Sequence, residues 1–135
     1  MEIFYPVAAL AALTFAVLFL TAFVRFRAAF AGRVKGRDFR YGESRDVPGD
    51  VSIPNRNLMN LLETPLLFYV VCVALFATRT VDAAALMLAW IYVALRFAHT
   101  AVHLTYNNVF HRLLVFAAGN LVLIAIWVRF IWQLR

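Results

Sequence analysis

Apolar residues fall into four long runs separated by polar interruptions, and this punctuation carries the first information in the chain. A helix needs about 20 predominantly apolar residues to cross the hydrocarbon core of a bilayer. The first run, Ile3 to Val24, holds no ionisable side chain except Tyr5 and closes in Arg25 and Arg27. It predicts a helix over about 4–30. Glu2 precedes this run and arginines follow it, the reverse of a cleaved signal peptide, so the span is expected to be retained. Further helices are predicted over about 56–78, 81–104 and 110–131. Residues 31–55 interleave Gly32, Gly36, Gly42, Pro48, Gly49 and Pro54 with charged side chains and read as a connecting loop outside the membrane. Tyr106-Asn107-Asn108 reads as a short polar turn. The expected architecture is all-α, an integral membrane four-helix bundle forming a single domain over residues 1–135.

Composition agrees with that reading. Of 135 residues, 64% are hydrophobic and 15% charged, whereas soluble chains run about 45–50% apolar and about 25% charged. The single cysteine, Cys72, has no intramolecular partner and sits in the apolar run from Leu66 to Ala77 as a small buried hydrophobe. The net charge of +6 does not indicate nucleic acid, because the basic residues gather at the ends of apolar runs, not on a recognition helix or an arm. Four crossings place the 31–55 loop and the 105–111 turn on one face of the membrane, with both termini, Arg79 and Asp82 on the other. The loop holds five Lys/Arg and is flanked by Arg25, Arg27, Arg56 and Arg112. By the positive-inside rule that face is cytoplasmic and the termini are periplasmic, with a bacterial inner membrane as the expected location.

Ionisable residues inside a spanning helix cost about 2.5–3.5 kcal/mol each at its centre, so their placement is informative. Arg56, Asn60 and Glu63 follow i, i+4, i+7 in the second span, which puts them within about 60° of one another. Arg96, His99 and His103 follow i, i+3, i+7 in the third, and Tyr92 extends that stripe by a turn. The two stripes are expected to face each other or a common cavity. Arg25, Arg27 and Arg112 lie at the same depth, and Glu63 and Arg96 lie about 10 Å inside the span ends, deeper than an interfacial side chain needs to be. A polar, largely cationic pocket accounts for all of them. Three other readings use the same residues. Glu63 with Arg96 or Arg56 forms a structural ion pair, His99 and His103 with His111 form a metal site, or Glu63 is the proton relay of a small coupled exporter. Aromatic residues such as Phe97, Phe110, Phe116, Trp90, Trp127 and Trp132 are read as lipid contact, interfacial anchors and packing.

At these residues the chain resembles the membrane-associated proteins in eicosanoid and glutathione metabolism (MAPEG), which include microsomal glutathione transferases. The similarity rests on Arg56-x-x-x-Asn60-x-x-Glu63 followed by Pro65, on Arg96-x-x-His99-Thr100-x-x-His103 followed by Arg112, and on Val24-Arg25-Phe26-Arg27 before a basic loop. The resemblance implies a homotrimer that holds glutathione as cosubstrate between neighbouring subunits. It also implies that a lipophilic electrophile or hydroperoxide enters from the membrane lipids. Carried over, Arg56, Asn60 and Glu63 bind the peptide, Arg96, His99 and His103 line the same cavity, Arg25 reaches the ligand from the first helix, and Arg112 activates the thiol. Two positions depart from the family pattern: His103 stands where a tyrosine is common, and Leu113 lacks the polar side chain some members carry. A non-catalytic thiol- or lipid-binding protein of the same family is the alternative expectation.

Overall fold

A computed structural model describes residues 1–135. Five helices follow in order: α1 (Phe4–Phe30), α2 (Gly49–Glu63), α3 (Pro65–Ala77), α4 (Ala83–Leu104) and α5 (Val109–Gln133), with a 3-10 turn over Gly36–Phe39. No strand is present. Only Thr64 separates α2 from α3, and it keeps helical angles, so the two form one span interrupted where Pro65 contributes no N–H. Four segments are long and apolar enough to cross a membrane: α1, α2 with α3, α4 and α5.

The buried core of the bundle is apolar and drawn from every span, with Leu10 and Val17 of α1, Phe68 and Leu75 of α3, Ala89 and Tyr92 of α4, and Leu123 and Ile126 of α5. Phe68 stacks on Tyr92 with ring centroids 4.7 Å apart. Cys72 lies free within this core. α5 packs on α4 at Gly119, which lies buried against Tyr92 and Leu95. Phe4 meets Phe76, 4.9 Å between centroids, which puts the start of α1 beside the end of α3. The termini and the α3–α4 turn therefore share one end of the bundle, and the 31–48 connection shares the other with the α4–α5 turn.

The expected second helix begins seven residues too late. The helix starts at Gly49, so 49–55 are helical where a loop was expected. Gly49 and Pro54 masked this start, because both residues usually punctuate loops. The structure uses them differently: extended Pro48 precedes the first turn, and Asp50 places a carboxylate near the positive helix N-terminus. Asp50 also accepts two hydrogen bonds from Arg33, at 2.8 and 2.9 Å. Val47 and Val51 pack against Ala28 and Val34 in a small second core at this end of the molecule. The reversal after α1 makes that packing possible. Gly32, at φ +69°, takes the left-handed conformation, its N–H reaching Ala29 O at 3.0 Å while Arg33 N–H reaches Ala28 O at 2.9 Å. These paired bonds close the helix and turn the chain back on itself. At the other helix ends, Asp82 caps α4 by accepting the Ala85 N–H, the helix runs from Ala83 to Leu104, and α5 runs from Val109 to Gln133.

Candidate functional site

The third-span stripe faces inward. Arg96, His99 and His103 are all buried, at 2 to 3% relative exposure. Arg96 Nε donates to the Tyr92 hydroxyl at 3.0 Å, and its guanidinium carbon stands 5.3 and 5.4 Å from the Tyr92 and Phe116 ring centres. These faces supply the partial negative charge that an absent carboxylate would otherwise provide. No acid pairs with Arg96 within the chain, and one of its terminal nitrogens is buried without a partner. The His99 and His103 rings lie edge to face, 5.7 Å apart. His99 Nδ1 and both ring nitrogens of His103 are buried and unpartnered. Each orphaned polar group of this kind costs about 1–3 kcal/mol, a penalty that no bond within the chain offsets.

Beside His99 lies an open hollow of about 240 Å³, lined by Asn60, His99, Val109, Arg112, Leu113 and Phe116; Arg96 and His103 are not in its lining. Val109, Arg112, Leu113 and Phe116 follow i, i+3, i+4, i+7, so a single face of the first two turns of α5 makes one wall. The polar turn before α5 sets this wall. Asn108 Oδ1 accepts the N–H groups of Phe110 and His111, at 3.0 and 3.1 Å, and caps the helix. Asn107 Oδ1 accepts from the Arg112 guanidinium at 2.8 Å and holds that side chain in place. Asn107 and Phe116 are site features beyond the expected set. By sequence Phe116 is a lipid or packing residue, but it stands half-buried between His99 and Arg96; its i+4 spacing from Arg112 is the signal the sequence offers. The polar character of the turn was visible, and only the fold shows what Asn107 holds.

The second-span stripe does not face the third as a unit. Asn60 is half-buried and reaches the hollow, while Arg56 and Glu63 are exposed on the surface of the chain. The bond between the two spans is made one position away, where Asn57 donates to the Thr100 hydroxyl at 3.3 Å in a buried setting. The reason is the cost of burial. A neutral amide and hydroxyl satisfy each other, whereas an inward Arg56 or Glu63 would carry a full charge into the core. The ion pair of Glu63 with Arg96 or Arg56 is not formed. Arg25 is likewise away from the hollow. Its guanidinium lies 4.7 Å from the centre of the Phe39 ring and 3.5 Å from Glu43, whose other oxygen accepts from Asn55 at 3.4 Å. His111 is exposed, with Nδ1 3.1 Å from the Tyr106 hydroxyl.

The hollow combines one fixed cation, Arg112, with polar side chains from three helices and no acid among its lining residues, a combination suited to an anion. No curated protein and no solved structure matches the chain. The sequence profile of the MAPEG family matches residues 3–132, nearly the whole length, and with its four spans and all-helical fold the chain belongs to the MAPEG family of membrane proteins.

Proposed function

We propose that this protein is a membrane-embedded glutathione-dependent transferase or peroxidase that works as a homotrimer. The carrying observation is the hollow in which Asn60, His99 and Arg112 meet, walled by Phe116, whose ring also faces the buried, acid-free Arg96 at 5.4 Å. Glutathione has two carboxylates and one ammonium, and its thiolate form is net −2, so it complements a pocket of arginines with a single glutamate. A hollow of about 240 Å³ falls short of the range of about 300–1,000 Å³ that small-molecule sites usually occupy. The missing wall comes from a second subunit in this reading. Exposed Arg56 and Glu63 then face the seam between copies, Glu63 taking the glutathione ammonium and Arg56 a carboxylate. The loop end faces the cytoplasm and supplies glutathione from there.

The thiol loses its proton to solvent, and the thiolate sulfur forms the new bond to the electrophilic carbon as the leaving group departs with its electron pair. Arg112, fixed by Asn107, is the residue that stabilises the thiolate. A neighbouring cation lowers a thiol pKa by a unit or more, each unit being about 1.4 kcal/mol. His99 and His103 offer hydrogen bonds to the peptide in place of the orphaned contacts they have in the single chain. The lipophilic substrate arrives from the bilayer beside Leu113 and Val109.

One observation favours a second reading, a family member that binds a thiol or lipid without turnover: His103 stands in place of the tyrosine common in the family. Incubating the detergent-purified protein with glutathione and a chromogenic electrophile, beside Arg112→Ala, separates the two. Conjugation above background that falls by about 100-fold in the variant supports the enzyme. Glutathione binding by calorimetry without conjugation supports the second reading, and absence of both removes the glutathione assignment.

A further inference from the structure

A second cavity, separate from the hollow, lies at the end of α1. The last two turns of that helix put Ala22, Arg25, Phe26 and Ala29 on one face, at i, i+3, i+4, i+7. After the turn at Gly32 the chain folds back, and Lys35 and Phe39 cover this face from the other side. The small side chains of Ala22 and Ala29 leave a groove of about 390 Å³ between the two segments. Its walls are mostly apolar, and the charged side chains that line it are Lys35 and Arg25, the latter also 3.5 Å from Glu43 outside the groove. Lys35 is exposed and pairs with no acid, and Arg25 keeps a further N–H, at Nε, that nothing in the chain accepts.

Depth identifies what fits there. At 27 residues α1 is about 40 Å long, against a hydrocarbon core of about 30 Å. Its last turns therefore emerge among the headgroups. The groove straddles that boundary, with Ala22 and Phe26 toward the hydrocarbon and Lys35 toward the headgroups. An apolar slot with Lys35 and Arg25 in its lining, at the level where a phosphate meets an acyl chain, is complementary to one class of molecule that always surrounds this protein. We infer that the groove between the end of α1 and the 3-10 turn holds an acidic phospholipid, with its phosphate on Lys35 and Arg25 and an acyl chain along Phe26 beneath Phe39. The lipid would fix the reversal after α1 and with it the connection that carries Glu43 to Arg25 and Asn55.

Native mass spectrometry of the purified protein, equilibrated with phosphatidylglycerol or phosphatidylcholine, tests this without any assay of glutathione chemistry. The expected result is one retained lipid per chain, with phosphatidylglycerol favoured by about fivefold. Lys35→Glu, an exposed substitution, should abolish that preference, and Lys35→Gln should weaken it. Ala29→Trp should exclude both lipids by filling the groove, with helical content by circular dichroism unchanged. Arg45→Glu makes the same charge change in the same connection outside the groove and should leave the preference intact. An equal loss in Arg45→Glu would reduce the effect to diffuse attraction and overturn the proposal. So would displacement of the lipid by inorganic phosphate, or lipid retention unaffected by Ala29→Trp. A smaller oligomer for Ala29→Trp on size exclusion, with lipid binding unchanged, would show that a second copy covers the groove and would also overturn it.

Discussion

Asp82 at one end of the bundle and the buried Arg96 cluster toward the other are partnered in opposite ways. At the end shared by the termini, Asp82 is fully engaged. It accepts from Arg129 and from Gln133 on α5, and it caps α4 through the Ala85 N–H at 2.8 Å. The bonds from Arg129 and Gln133 join α5 to the start of α4. At the loop end, Arg96, His99 and His103 are more deeply buried, yet several of their nitrogens have no partner. A folded chain partners the great majority of its buried polar groups; beside Asp82 the Gln133 Oε1 is left over, whereas at the loop end the orphaned nitrogens gather in one cluster. The contrast therefore separates a staple, which completes itself, from a site, which is completed by something else.

Substitutions at the two ends should accordingly move different quantities. The largest effect is expected at Arg96. Arg96→Met removes a buried cation while keeping most of its volume, so kcat/KM for conjugation should fall by about 100-fold while thermal stability in detergent stays level or rises. If melting temperature dropped along with activity, Arg96 would be a structural residue and the contrast between the ends would collapse. Thr100→Val comes next. It leaves the buried Asn57 amide without its partner and should cost about 1–3 kcal/mol in denaturant unfolding, most of it recovered in the Asn57→Leu/Thr100→Val double variant. Failure of the double variant to recover would mean that the pair does more than satisfy itself.

At the opposite end, Asp82→Ala removes a helix cap and should lower stability by about 1 kcal/mol with conjugation unchanged. A loss of activity in this variant would join the two ends functionally. The smallest effect is in acid. The Arg129 guanidinium, followed by the Ala85 N–H, holds the Asp82 carboxyl down at about 2, below its ordinary value of about 4. The charged form is thus favoured in the folded state, and its contribution is complete above pH of about 4 and disappears as pH falls toward about 2. Melting curves across that window should show an acid-labile component that Asp82→Asn lacks. Identical curves for the two proteins would mean that the staple stabilises nothing.

Helix α1 and the two stripes show how far the sequence could be read. The ends of α1 were legible to the residue, because an uninterrupted apolar run closed by arginines and a glycine has few other conformations open to it. The start of α2 was not, because Pro48, Gly49 and Pro54 look like loop residues until Val47 and Val51 are seen packed on Ala28 and Val34. The third-span stripe was read correctly as one buried face. Within the single chain the second-span stripe does not pack on the third: Asn57 and not Arg56 makes the bond to α4, Asn60 reaches the hollow, and Arg56 and Glu63 stay at the surface.

The sequence alone determined the number of spans, the family, and the set of polar side chains available at one depth, since hydrophobic run length and helical periodicity are properties of a single segment. Only the tertiary structure decided which way each stripe faces, that Phe116 and Asn107 belong with Arg96 and Arg112, and that Arg25 joins the connection instead of the hollow. The reason is geometric. Each residue advances a helix by about 100°, so spacing fixes angles within a helix and leaves its rotation against its neighbours to be set by packing and by the cost of burying charge.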